Sequence, residues 1–153
     1  MLAKTHLAIT IFFVLIFLPY VFHTISFVIF SLIATLIPDI DSKFSKIGKN
    51  KGFRIIQLFL KHRGSLHSFF FLIFVTFLLV LFFPILSFPF FLGYGLHLIT
   101  DSFTVSGIRL FYPFKLKYSG FIETGTRKET LIFVIFLFLN VFLASIIFNQ
   151  WVF

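Results

Sequence analysis

Cysteine is absent from the 153 residues. Disulfide bonds and thiolate metal sites are therefore excluded, and the redox compartment is left unread. Charge is scarce too. Asp, Glu, Lys and Arg make up 12% of the chain, against about a quarter in an ordinary soluble domain. Acid is scarcest, with five Asp and Glu against 13 Lys and Arg. The rest is apolar: 59% of residues are hydrophobic and the mean hydropathy is +1.10. These shortages exclude a soluble globular domain and define an integral membrane protein. Residues 1–153 are expected to form a single membrane domain. No Lys/Arg run carries interleaved stacking aromatics, so the net charge of +8 is read as topology and contact with anionic head groups, and nucleic acid is set aside. The 29 Phe are read as a compositional bias, since aromatic side chains facing lipid need no further reason.

Five apolar runs predict five transmembrane helices, at about 3–18, 21–37, 67–83, 88–103 and 130–148. The first run has the basic start of a signal peptide, but no small-x-small site closes it, and it is read as a retained helix. At ~24 Å it falls short of a hydrocarbon core of ~30 Å, so polar helix ends are placed near the interface. Two polar segments, 38–66 and 104–129, separate the runs. Within the first, Phe53 to Lys61 suits a short helix in the interface. Within the second, Ile108 to Phe121 alternates enough for a hairpin. Trp151 lies beyond the last run as an interfacial anchor.

Charge sets the orientation. The N-terminal stub carries Lys4, the first polar segment seven Lys/Arg and the second five, which accounts for all 13. The turns around Pro19 and Pro84 and the tail after Phe148 carry none. By the positive-inside rule the N-terminus is expected in the cytoplasm and the C-terminus outside.

That topology gathers the unusual residues at one level. His97 and Asp101 are four residues apart at the end of an apolar run, on one face of a helix. An ionisable pair there is costly unless partnered or metal-bound, and so marks a functional site. His6 begins the first helix, Asp39 and Asp41 end the second, His62 and His67 lead into the third, and Glu129 starts the fifth. His23 sits at the opposite tip and is excluded. Imidazole and carboxylate together suit zinc first, with manganese or iron as alternatives, as one ion or two sharing a carboxylate. Such an ion with an open position acidifies water and polarises a phosphoryl or carbonyl oxygen. Arg63 brings a planar fork that matches phosphate, and Gly64 frees the turn beside it. Thr104 and Gly107 are expected to shape a loop, and His67-Ser68 to start a helix with a Ser cap.

In order, the chain carries His6, Pro38-Asp39-Ile40-Asp41, His62-Arg63-Gly64-Ser65-Leu66-His67-Ser68, Gly93-Tyr94-Gly95-Leu96-His97-Leu98-Ile99-Thr100-Asp101, Thr104-x-x-Gly107 and Pro113. This resembles the family of membrane-bound metal-dependent hydrolases of the YdjM/YbcI type, from about His6 to Glu129. The order Asp…His…His-x-x-x-Asp is also similar, more distantly, to zinc-dependent phospholipase C and P1-type nucleases. Carried over by position, the likeness implies one metal site from Asp39 or Asp41, His62 or His67, His97 and Asp101, with His6 in a neighbouring one. The second downstream His pair of those enzymes is missing, and only Glu129 stands in its place. One or two metals are therefore expected, not three.

The resulting expectation is an all-α bundle of about five transmembrane helices in the inner membrane, with a polar site on its cytoplasmic face. Its chemistry is expected to be metal-dependent hydrolysis of a phosphate ester. His6, Asp39, Asp41, His62, His67, His97, Asp101 and Glu129 are the candidate metal ligands, and Arg63, Asp39 and His62 the candidate catalytic residues. Membrane lipid is the expected partner and a candidate substrate. The alternatives are a metal-ion carrier, whose ionisable groups belong near mid-bilayer, and a structural membrane subunit, in which polar residues join helices.

Overall fold

A computed structural model describes residues 1–41 and 66–152. The expected interfacial helix over 53–61 lies outside them. Among the described residues there are five α-helices and no β-strand: α1 (Ala3–Phe17), α2 (Thr24–Leu36), α3 (Phe69–Phe82), α4 (Pro84–Ser102) and α5 (Arg127–Val152). Short 3-10 turns, Leu18–Tyr20 and Pro38–Asp41, follow α1 and α2.

Local chemistry sets the helix ends. Pro38 stops α2, because it has no N–H to continue the i→i−4 ladder; Ile37 stays helical and its N–H turns back to the Ala34 carbonyl at 3.3 Å. Ser68 caps α3, its Oγ accepting from Phe71 N at 3.2 Å. Pro84 opens α4 at a first-turn position, where no N–H is needed. The expected start near residue 88 is thereby corrected. Pro89 sits inside the helix. The hairpin expected over 108–121 reduces to one antiparallel bridge between Ile108 and Tyr118.

Helix α4 is the hub, packing against α2, α3 and α1, while α5 packs on α1. The α2–α4 contact is unusually close. A Cβ built on Gly93 would stand 2.0 Å from the Ser31 carbonyl oxygen, so only glycine permits this approach. The core here comprises Ala34, Leu72, Phe90, Tyr94, Leu98 and Ile108.

The outer faces are apolar. Phe74, Phe77, Phe138, Val141 and Phe142 all stand exposed on α3 and α5. A soluble protein rarely shows such continuous apolar surface. Two helical stretches, Ala3–Tyr20 and Arg127–Asn149, are long and apolar enough to cross a membrane. Thr24–Ile40 and Phe69–Phe82 are apolar but shorter.

Candidate metal centre

The alternation of helix direction brings the start of α1, the turn after α2, the residue pair before α3 and the end of α4 to one end of the bundle. His6, His67, His97 and Asp101 are all buried there, and the Asp39 side chain is 18% exposed. Asp101 is the centre of the group. Its Oδ1 is 3.3 Å from His6 Nε2, and its Oδ2 is 3.7 Å from His97 Nε2 and 3.8 Å from His67 Nε2. Asp39 Oδ1 stands 4.0 Å from His97 Nε2. His6, His97 and Asp101 each bring a ligand atom within 4.8 Å of the others, and so do Asp39, His67 and His97. His97 belongs to both sets. Two ligands about 2.0 Å from a tetrahedral ion lie about 3.3 Å apart, so the observed spacings need little closure.

The far sides of two imidazoles are fixed. His97 Nδ1 lies 2.7 Å from the Thr35 carbonyl oxygen. A carbonyl only accepts, so Nδ1 carries the proton and Nε2 keeps its lone pair. His6 Nδ1 lies 2.6 Å from Thr100 Oγ1. That hydroxyl has one proton, which the Leu96 and His97 carbonyls take at 2.9 and 3.0 Å. His6 Nδ1 therefore donates, and in the neutral ring, the form that binds a metal, its Nε2 also keeps a lone pair. Both Nε2 atoms are buried and have no aligned hydrogen-bond partner among the described residues. Such an orphan is costly in a protein interior. The His6 and His97 rings stack at 4.1 Å and 9°. Metal-binding histidines characteristically show this arrangement, one nitrogen held by an oxygen and the other aimed at the ion.

Outer contacts hold the rest. Thr35 Oγ1 donates to the Ser31 carbonyl at 2.8 Å and meets Thr10 Oγ1 at 2.9 Å, tying α2 to α1. The Tyr94 hydroxyl donates to the Leu66 carbonyl, which anchors the chain just before His67. Thr104 Oγ1 donates to the Asp101 carbonyl at 2.7 Å, and Gly107 N to Thr104 Oγ1 at 3.2 Å, so these residues shape the loop as expected. The Met1 amino group places a positive charge 2.6 Å from Asp101 Oδ1. Burial pushes the Asp39 carboxyl above its ordinary range.

Of the eight expected ligands, His6, Asp39, His67, His97 and Asp101 come together. The Asp41 side chain, His62 and Arg63 lie outside the described residues. Glu129 is engaged elsewhere. Its Oε1 accepts from Leu2 N at 2.6 Å and Thr5 Oγ1 at 2.9 Å, and its Oε2 from Gly125 N at 2.6 Å. It thus caps α1 and joins the starts of α1 and α5, a role a carboxylate fills well at a helix N-terminus. Glu129→Ala is expected to cost about 1–3 kcal/mol, because the buried Thr5 hydroxyl and the Leu2 and Gly125 N–H groups lose their charged acceptor. Metal binding should survive it, as thermal unfolding and metal analysis of the same preparation would show. Thr35 and Thr100 escaped sequence reasoning. Their one available signal is threonine beside each acidic position, Thr35 one turn before Asp39 and Thr100 adjacent to Asp101.

The all-helical architecture, the apolar outer faces and the two helices long enough to span are those of a membrane protein, with a buried His/carboxylate cluster at one end. The chain belongs to the YdjM inner membrane protein family, which it matches over residues 1–152. It is also 30% identical over 106 residues to the "Uncharacterized protein YvsG" of Bacillus subtilis (strain 168). That alignment covers 65% of this chain and 66% of the relative, just under two thirds of its length. No solved structure matches the chain.

Proposed function

We propose that this protein is a metal-dependent hydrolase of phosphate esters, built as a five-span bundle with its N-terminus and metal centre on the cytoplasmic side. The observation that carries the reading is the pair of buried His6 and His97 Nε2 lone pairs, each fixed from behind and facing Asp101. Helix packing alone gives no reason to bury two such lone pairs without donors. His6, Asp39, His67, His97 and Asp101 hold one or two divalent ions, zinc by preference for this nitrogen and oxygen set. A bound ion of this kind supplies Lewis acidity and a water acidic enough to act near neutral pH.

The remaining roles fall to the chain's own residues. Thr35 and Thr100 orient the two imidazoles. Arg63, whose guanidinium fork matches phosphate, is the proposed partner of the phosphate oxygens, and His62, its neighbour in sequence, a proposed catalytic residue. The five-span topology rests on the five helices and on the confinement of all 13 Lys and Arg to the stub and the two segments on one side. Spans shorter than the usual hydrocarbon core are met by local thinning of the bilayer. A carrier would set its ionisable groups near mid-bilayer, whereas these sit at helix ends.

The test is hydrolysis of bis(p-nitrophenyl) phosphate and a panel of phosphomonoesters by detergent-purified protein. Turnover is expected in the zinc- or manganese-loaded protein, to disappear on chelation and to return on reloading. Protein that holds its full metal complement and hydrolyses none of the panel would overturn the reading.

A further inference from the structure

The loop that follows α4 presents an outer face of mixed chemistry. Over Phe114-Lys115-Leu116-Lys117-Tyr118 apolar and basic residues alternate, and all five are exposed. Phe114 is 60% exposed and Leu116 64%. The face is pre-formed. Tyr118 and Ile108 exchange two backbone hydrogen bonds at 2.9 Å, and Ile108 and Ile122 are buried and anchor the loop to the bundle. Gly107 adopts a φ of 56°, and a Cβ there would stand 2.3 Å from the Tyr118 carbonyl oxygen, so the turn into this bridge takes only glycine.

Continuity says what the apolar part of this face meets. Phe70, Phe74, Phe77 and Leu81 recur at helical spacing and form one exposed stripe along α3. At one end of that stripe the Phe70 ring meets Phe111 at 6.3 Å and Phe114 at 6.5 Å, and Phe111 meets Tyr118 at 5.9 Å. The apolar outer surface of α3 thus runs on into the loop without a break. Charge says what the basic part meets. Lys115 and Lys117 stand among these apolar groups, and Arg109, next to Ile108 of the bridge, is exposed as well. Glu123 is the one exposed acidic side chain among the described residues, and residues 42–65 hold seven Lys and Arg and no acid. Neither a second copy nor another stretch of the chain therefore offers the opposite charge. Rings and aliphatic groups at the acyl boundary, with cations on long stems among phosphates, suit the surface of an anionic leaflet.

We propose that this face is a docking surface for anionic phospholipid. Phe114, Leu116 and Tyr118 sit in the leaflet on the side of the His/Asp cluster, and Arg109, Lys115 and Lys117 hold head-group phosphates. The loop then lies along the membrane surface instead of standing in water. It thereby sets the depth of the end of α4, to which Thr104 and Gly107 join it. Lipid docking here stands apart from the hydrolase reading and needs no metal.

The experiment uses the full chain in phosphatidylcholine vesicles and reads tryptophan fluorescence. Trp151 is the chain's one tryptophan, so Trp151→Phe gives a silent background, to which Phe114→Trp or Leu116→Trp adds a reporter on the loop. Phe138→Trp, on the exposed face of α5, is the lipid-facing reference. Emission from both loop reporters is expected to be quenched by lipids brominated near the head group and shielded from acrylamide. Half-quenching should come at a severalfold lower mole fraction of brominated phosphatidylglycerol than of brominated phosphatidylcholine, a preference the α5 reference should lack. Lys115→Glu with Lys117→Glu should abolish the preference, since each lysine at an anionic surface is worth about fivefold. Both lysines are exposed, so thermal unfolding and metal content should not change with them. Reporters as open to acrylamide as free tryptophanamide, and untouched by either lipid, overturn the proposal. So does quenching by neither acrylamide nor lipid, the result of a second copy or another part of the chain on this face. Equal quenching by the two lipids, indifferent to the double substitution, also overturns it, because the apolar residues would then be in lipid without an anionic partner.

Discussion

His97→Gln is expected to lower metal affinity by well over a hundredfold. The residue belongs to both sets of converging ligand atoms, so no ion in the cluster escapes its loss. Its Nδ1 proton is committed to the Thr35 carbonyl, and its Nε2 lone pair has no other donor to meet. Glutamine keeps much of the volume and loses the imidazole. Changes to outer partners set the lower bound, since these alone typically cost ~10–100-fold in metal affinity. Thr100→Val, which removes the acceptor behind His6, should fall in that outer range. A competition titration against a chromophoric chelator measures both. Because His97 is fully buried, thermal unfolding is followed in parallel to separate a folded protein without metal from an unfolded one.

Gly93→Ala is the second large effect, and it should strike the fold. The new methyl group would stand 2.0 Å from the Ser31 oxygen and 3.0 Å from Thr35 Oγ1, both on the facing helix. The neighbour at the shortest distance is backbone, so α2 and α4 must move apart. Overpacking of this kind costs about 1–3 kcal/mol where side chains relax, and a backbone clash belongs at or beyond the upper end. The melting temperature in detergent is expected to fall by several degrees or more. Metal affinity should fall with it, because the same approach lets Thr35 hold His97. Gly95→Ala, two residues on and with no neighbour inside 3.6 Å, should be close to neutral. Equal losses in the two variants would place the cause in helix propensity instead of the α2–α4 contact.

The parts of the fold that depend on pattern were legible in the sequence. Long apolar runs and proline breaks located all five helices, because in an apolar solvent a helix is the one local way to satisfy the backbone. Alternating helix direction then placed His97, Asp101, Asp39 and His67 at one end before any contact was known. Boundaries were harder. Pro84 and Pro89 both read as breakers, yet one opens α4 and the other is carried within it, a choice made by packing around the buried Pro89. Glu129 was misplaced for a similar reason. It lies at the right level for a ligand, but Leu2 N, the Thr5 hydroxyl and Gly125 N occupy its two oxygens, and helix ends claim carboxylates. His6, expected as a ligand from its place at the start of the first helix, joins the cluster through its stacking on His97 and its 3.3 Å approach to Asp101. The supporting threonines were invisible, since their role depends on which carbonyl each side chain reaches.

Metal stoichiometry of the purified wild-type protein, by elemental analysis after isolation without chelator and re-exposure to zinc, manganese and iron, tests the central claim most directly. About one or two equivalents per chain is the predicted result, in keeping with a site of two nitrogen-and-oxygen ligand sets that share His97. A folded, monodisperse protein that binds none of the three would contradict it, and would leave His6, His97 and Asp101 as helix-packing contacts.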